Sequence, residues 1–93
     1  MSSQDHVPKE LLNTDVVLDT AGQYVYIGTL TSVDEHFFTL EDVDVHDRNE
    51  SSTPKEIYIM DARKYGIKKN RSRAYVLAKH VVSMSKLEDV LEY

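Results

Sequence analysis

The run Tyr24-Val25-Tyr26-Ile27-Gly28-Thr29-Leu30-Thr31-Ser32-Val33 constrains what this chain can fold into more than any other segment. Its side chains alternate with the two-residue period of a β-strand. Tyr24, Tyr26 and Leu30 share one face, while Val25, Ile27, Thr29, Thr31 and Val33 share the other. Both faces are apolar in the first half, which predicts cover on both sides of the sheet there. A glycine in mid-strand packs nothing and weakens pairing, so Gly28 marks an expected bend. A shorter strand at 15–20 precedes it, with Val16 and Leu18 on one face and Val17 on the other. Ala21-Gly22-Gln23 between them reads as a tight turn in which Gly22 can take a positive φ.

The remaining elements follow from the same rules. Pro8-Lys9-Glu10-Leu11-Leu12 reads as a short helix that starts at the proline and stops at Asn13. After the turn Val33-Asp34-Glu35-His36, a third strand runs from Phe37 to His46. Its apolar phase passes through Phe38 and Leu40, then slips to Val43 and Val45. A one-residue slip at Glu41-Asp42 is what a β-bulge produces. Residues 47–52 have loop composition. Thr53-Pro54-Lys55-Glu56 forms a capping box at the start of a second helix, with Gly66 as its C-terminal cap. Ile57, Met60, Ala62 and Tyr65 would form its apolar stripe. The run Ile57-Tyr58-Ile59 leaves a strand at 56–60 as the alternative. Lys68-Lys69-Asn70-Arg71-Ser72-Arg73 reads as a basic turn, followed by strands at 74–79 and 81–86 and a tail from Leu87.

The spacing Gly28-x-Leu30-x-x-x-Asp34, continued by Phe38, Leu40 and Val43, resembles the first signature motif of Sm-like proteins. Tyr75-Val76-Leu77-Ala78-Lys79-His80-Val81-Val82-Ser83-Met84 resembles the shape of the second, with Ala78 as its small residue. The resemblance covers roughly residues 8–46 and 73–88. It implies a mainly β fold: a strongly bent five-stranded antiparallel sheet, or small open barrel, with an N-terminal helix. An inserted helix or strand would lie between the third and fourth strands, within one domain spanning 1–93 and an insertion at about 47–72. The resemblance also implies a homo-oligomeric ring, in which the fourth strand of one subunit joins the fifth of the next. In RNA-binding members, a residue after the motif aspartate stacks on a base, an asparagine contacts it and an arginine closes the pocket. Here Asp34-Glu35-His36-Phe37-Phe38 has no asparagine, and Leu77 falls where the arginine would be. His36 or Phe37 could still stack on a base, since every base has a π-face.

Charge is distributed unevenly along the chain. Residues 1–54 carry two cations against eleven acids, whereas residues 55–73 carry seven cations against two. The basic segment, with Arg63, Lys64, Tyr65, Lys68, Lys69, Arg71 and Arg73, is the strongest candidate for a functional surface. Its cations can neutralise phosphates and Tyr65 can stack. The competing role is structural, with these cations meeting the acidic 41–50 segment of the same or a neighbouring subunit. Asp42-x-Asp44-x-His46, with Asp47, places carboxylates and an imidazole on alternate strand positions. That pattern suits a divalent metal in principle but matches no specific motif, and a solvated strand face explains it better.

The chain has no cysteine, which excludes disulfides and thiolate ligands. It has no phosphate-cradling glycine loop, no membrane-length apolar run and no signal-peptide pattern at its start. No arrangement of nucleophile and base is visible, and no cofactor is implied. The sequence therefore predicts a non-enzymatic, cytoplasmic Sm-like scaffold or binding protein that self-associates into a ring. The alternative is an RNA-binding Sm-like protein that uses 63–73 as a phosphate-binding surface.

Overall fold

The computed structural model describes residues 7–49 and 53–91. Strands β1 (Asp15–Thr20), β2 (Tyr24–Val33), β3 (Phe37–Asp47), β4 (Arg71–Leu77) and β5 (Val81–Lys86) form one sheet. All pairings are antiparallel, in the order β4-β3-β2-β1-β5. Helix α1 (Lys55–Tyr65) lies between β3 and β4, so the helical reading of 56–60 holds over the strand.

The bend at Gly28 comes from a bulge on the opposing strand. Ile27 pairs with Asp44 and Thr29 with Glu41, so the single residue Gly28 faces both Asp42 and Val43. Asp42 absorbs the extra residue in the left-handed region, at φ 52°. A short polar side chain tolerates that conformation better than a branched one. The two strands approach so closely here that a Cβ on Gly28 would sit 3.1 Å from the Glu41 carbonyl oxygen and 3.2 Å from Val43 Cγ2. Glycine is therefore required by close approach, since its own φ is not positive. A second register shift, between Leu30 and Ser32, leaves Thr31 as an extra residue on β2 and adds to the curvature.

The connection between β4 and β5 shows how far the sheet rolls. These strands occupy opposite edges, yet only the 3₁₀ turn Ala78–His80 joins them. In a flat five-stranded sheet the edges would lie about 19 Å apart. The four residue steps from Leu77 to Val81 reach at most about 14 Å even when extended. The sheet must curl, and backbone bonds from Ala78 N–H to the His36 carbonyl and from Ala21 N–H to the His80 carbonyl pin the link at 2.8 and 2.9 Å.

Alternation along the strands feeds two cores. Val16, Leu18, Leu30, Leu40, Val43 and Val76 belong to the larger one, enclosed by the curl. Val17, Val25 and Ile27 face the other way and pack against Ala62 of α1 and Leu87. Full burial of a leucine or isoleucine such as Leu18, Ile27, Leu30 and Leu40 is worth roughly 1.5–3 kcal/mol each. Cover on both sides of β2 comes later than its double apolar face predicts. Val25 and Ile27 are fully buried on one side. On the other, Tyr24 is 41% exposed and Tyr26 half-buried, and that side closes only at Gly28 and Leu30.

Several local expectations need correction. The N-terminal helix is a single 3₁₀ turn, Lys9–Leu11, because Asn13 turns into the left-handed region at φ 63° and its N–H is taken by the Leu30 carbonyl. Gly22 does not use a positive φ. Pro54 occupies the N-cap of α1, one residue later than the capping box places it. The buried stripe of α1 is Tyr58, Ile59 and Ala62, while Ile57 and Tyr65 are exposed. The ion pair of Lys55 with Asp19 of β1, at 2.8 Å, anchors the first turn with that face inward. Gly66 caps the helix as expected, at φ 97° with its N–H on the Ala62 carbonyl at 2.9 Å. The basic turn is shorter than its composition suggests, for Arg71, Ser72 and Arg73 already belong to β4, with Arg71 paired to Val43 and Arg73 to Glu41 of β3. An edge strand leaves such side chains in water, so polar composition does not prevent pairing.

A Gly28→Val substitution should destabilise the protein by about 1–3 kcal/mol through overpacking against β3. Gly22→Ala, whose Cβ would meet only Thr20 Oγ1 at 4.0 Å, should change stability by less than about 1 kcal/mol. Urea unfolding of both variants checks the contrast; equal stability of the two would remove the steric explanation for Gly28.

Candidate functional site

Asp34 organises the β2–β3 turn. Its Oδ1 accepts backbone N–H groups of His36 at 2.8 Å and Phe37 at 2.7 Å. Those two bonds favour the ionised carboxylate and hold its pKa below the usual 3.8. The turn presents His36 to solvent, with Nε2 3.0 Å from a Glu35 carboxylate oxygen. Phe37 pairs with Leu77, and the β4–β5 link is bonded to His36. Thus the two loops that carry the resemblance to a base-binding pocket do meet. They bring together His36, Phe37 and Leu77, the last two about two-fifths exposed (38% and 39%). The surface they make is aromatic and aliphatic, without an amide or guanidinium at those positions.

The basic segment is spread over three elements. Arg63, Lys64 and Tyr65 end α1, Lys68 and Lys69 lie in the connection, and Arg71 and Arg73 begin β4. Arg63 Nε donates to the Glu88 carbonyl at 3.1 Å, and Lys64 Nζ stands 5.3 Å from the centroid of the exposed Tyr65 ring. Lys69 is 3.3 Å from Asp42, and Arg73 is 3.1 Å from Glu41. Glu41 and Tyr75 beside the Arg73 guanidinium keep it charged, raising its pKa further. Among the described residues, Lys68 and Arg71 make no ion pair. Two cations of the segment therefore meet acids of β3 in the same chain, one of the two roles the charge pattern leaves open.

Asn70 is the residue in this segment whose importance composition does not reveal. Its Oδ1 accepts the Val45 N–H at 3.0 Å, while Nδ2 donates to the Val45 carbonyl at 3.1 Å and to Asp44 Oδ1 at 3.2 Å. The side-chain amide takes the place of a strand partner for β3 just beyond the start of β4. Its own N–H bonds the Val43 carbonyl at 2.8 Å, locking the crossover from α1.

The acidic pattern on β3 does not converge. The bulge turns Asp42 away to Lys69, and Asp44 faces Asn70. His46 is buried and stacked on Tyr58 with ring centroids 3.8 Å apart and planes at 15°. Asp47 accepts Gln23 Nε2 at 3.0 Å and the Asn49 N–H at 2.9 Å. Among the described residues, no three His, Cys, Asp or Glu side chains are grouped to hold a metal ion. Burial pushes the Tyr58 hydroxyl well above the ordinary tyrosine range. The Asp44 carboxylate close by adds to this, though its geometry falls short of a hydrogen bond to the phenol. Asp19 also receives Arg48 Nη1 at 3.7 Å, so the underside of α1 is held by charge as well as by its apolar face.

The sheet edges complete the picture. Tyr75 and Leu77 on β4 and Val82 on β5 are exposed apolar side chains on edge strands whose outer sides pair with no other strand among the described residues. Beside β4 lies a cleft of about 280 Å³ lined by Tyr24, Tyr26, Tyr75, Leu77 and His80. Beside β5 lies one of about 350 Å³ lined by Val7, Leu11, Phe38, Val81, Val82 and Met84. The sequence does not show that Tyr75 is exposed, since Ala74-Tyr75-Val76-Leu77 is an unbroken apolar run, nor which strands lack neighbours. No helix among the described residues is long and apolar enough to cross a membrane.

No protein-family model and no curated protein matches the chain. Among solved structures, the chain is similar to the Sm protein of Pyrococcus abyssii, determined in complex with a uridine heptamer. The match has a TM-score of 0.57 at 17% identity and covers 83% of this chain and 87% of that one. The fold is thus Sm-like: five antiparallel strands in one open sheet, with α1 inserted between β3 and β4.

Because the folded carboxylate of Asp34 is the stronger acid, its contribution to stability is present above pH 3.8 and is lost as pH falls through the lowered value. Asp34→Ala should flatten the acid side of the stability curve and leave its slope near neutrality unchanged. A pH series of thermal midpoints for both proteins checks this; parallel acid limbs would show that the two turn bonds do not couple to stability.

Proposed function

We propose that this chain is a non-enzymatic Sm-like scaffold that assembles with copies of itself, β4 of one copy pairing with β5 of the next. The observation that carries the reading is the pair of unpaired edges, each bordered by exposed apolar side chains and a cleft. Unpaired edge strands offer backbone donors and acceptors to any strand that can reach them. An edge that meets a different edge makes a heterologous contact, which either closes into a ring or grows as a filament. Curvature of the sheet favours closure. The site chemistry supports a scaffold over uridine readout, since Leu77 replaces the expected guanidinium and the turn after Asp34 supplies no amide.

A second reading is favoured by one observation. Lys68 and Arg71 make no ion pair among the described residues, and Tyr65 beside Lys64 is largely exposed. A basic surface with an exposed aromatic suits single-stranded RNA, and the similar Pyrococcus protein was determined with a uridine heptamer. Filter binding of a uridine oligomer at low and high salt tests this reading, since phosphate-driven affinity must fall with salt.

Light scattering on purified protein should give a discrete multiple of the 10.7 kDa subunit. Val82→Asp and Tyr75→Asp should each yield folded monomer, because these side chains are largely exposed in the single subunit and surface changes cost about 0.5 kcal/mol or less. A wild-type monomer, or variants that assemble normally, would overturn the self-assembly reading.

A further inference from the structure

We propose that Glu88 and Asp89 of one copy meet Lys68 and Arg71 of the next, and that this charge contact reinforces the antiparallel direction of the β5–β4 pairing. The inference rests on the self-assembly reading and concerns residues outside the paired strands themselves. Full antiparallel overlap of β5 with β4 places Val81 opposite Leu77 and Lys86 opposite Ser72. The 3₁₀ turn Leu87–Asp89 that follows β5 then lies beside Arg71 and the connection that precedes it.

The charges complement each other in that alignment. Glu88 and Asp89 are exposed at the end of β5, and Lys68 and Arg71 are exposed before and at the start of β4. Neither Asp89, Lys68 nor Arg71 makes an ion pair within the subunit among the described residues. Lys69 and Arg73, by contrast, are already matched to Asp42 and Glu41. The parallel alternative sets Val81 opposite Arg71, which brings Lys79 and His80 beside the Lys68-Lys69 run. Like charges would then face one another, and such juxtaposition costs several kcal/mol across an interface. Backbone pairing favours the antiparallel direction only slightly per residue; the charges add to that preference.

The test is charge reversal followed by charge exchange. K68E/R71E and E88K/D89K should each raise the concentration at which half the protein is assembled by at least about tenfold. The quadruple variant, carrying both reversals, should assemble close to wild type. Added salt should weaken the wild type and the quadruple variant alike. Thermal unfolding should report folded subunits throughout. Among the described residues the Glu88 side chain, itself exposed, pairs only with the mostly buried Lys86, at 3.4 Å, and Arg63 bonds its backbone carbonyl rather than its side chain. Normal assembly of either reversed variant, or a quadruple variant that stays dissociated, overturns the charge contact while leaving self-assembly standing. A wild-type monomer overturns self-assembly and the charge contact together.

Discussion

The structure depends on one closure constraint: the two edges of a five-stranded sheet are joined by a three-residue turn. A flat sheet cannot satisfy it, so curvature is imposed by connectivity and must be accommodated somewhere along β2 and β3. The accommodation is local. Gly28 gives up its side chain so that β3 can approach, and Asp42 gives up ordinary strand geometry to absorb the extra residue. Each makes the other possible, and together they convert a sheet into a partly closed barrel with its own interior. The same closure leaves β4 and β5 as free edges on either side of the link.

Helix α1 solves the second problem raised by the curl. Rolling the sheet encloses one face and exposes the other, which still carries Val17, Val25 and Ile27. The helix covers that patch with Tyr58, Ile59 and Ala62. Its orientation is held by polar contacts at both ends of the crossover: Lys55 on Asp19 at the start and Asn70 on β3 after the end. Between them the buried His46 stacks on Tyr58, so a histidine that reads as part of a solvated strand face lies under the helix. Charge is divided in a similar way. Part of the basic segment neutralises the bulge of β3, and the remainder is left facing outward.

Much of this was legible in the residues. Alternation placed β1, β2 and β5 at their observed bounds, and the phase slip after Leu40 located the bulge. Gly66 announced the end of α1. The misreadings share a cause, which is that local rules cannot see a distant partner. The stripe of α1 was assigned from periodicity alone, whereas Asp19, 36 residues away, decides which face turns inward. Arg71 and Arg73 read as a turn because their composition is polar, but β3 supplies the ladder that makes them strand. The alternating acids and His46 suggested one face, and the left-handed Asp42 broke the alternation that argument needs. The candidate surface was legible as a charge cluster and an Sm-like spacing; its division into paired and unpaired cations was not.

By itself, then, the sequence determined the five strands and the position of the bend, while 56–60 stayed open between helix and strand. The strands and the bend follow from side-chain period and backbone permissiveness, which act within a few residues. Only the tertiary structure decided which strands became edges, which cations were neutralised and which apolar side chains remained exposed. Those outcomes depend on how the rolled sheet brings residues far apart in the chain to within a few ångströms. Contacts of that range are set by strand order and register, and neither has a local signature.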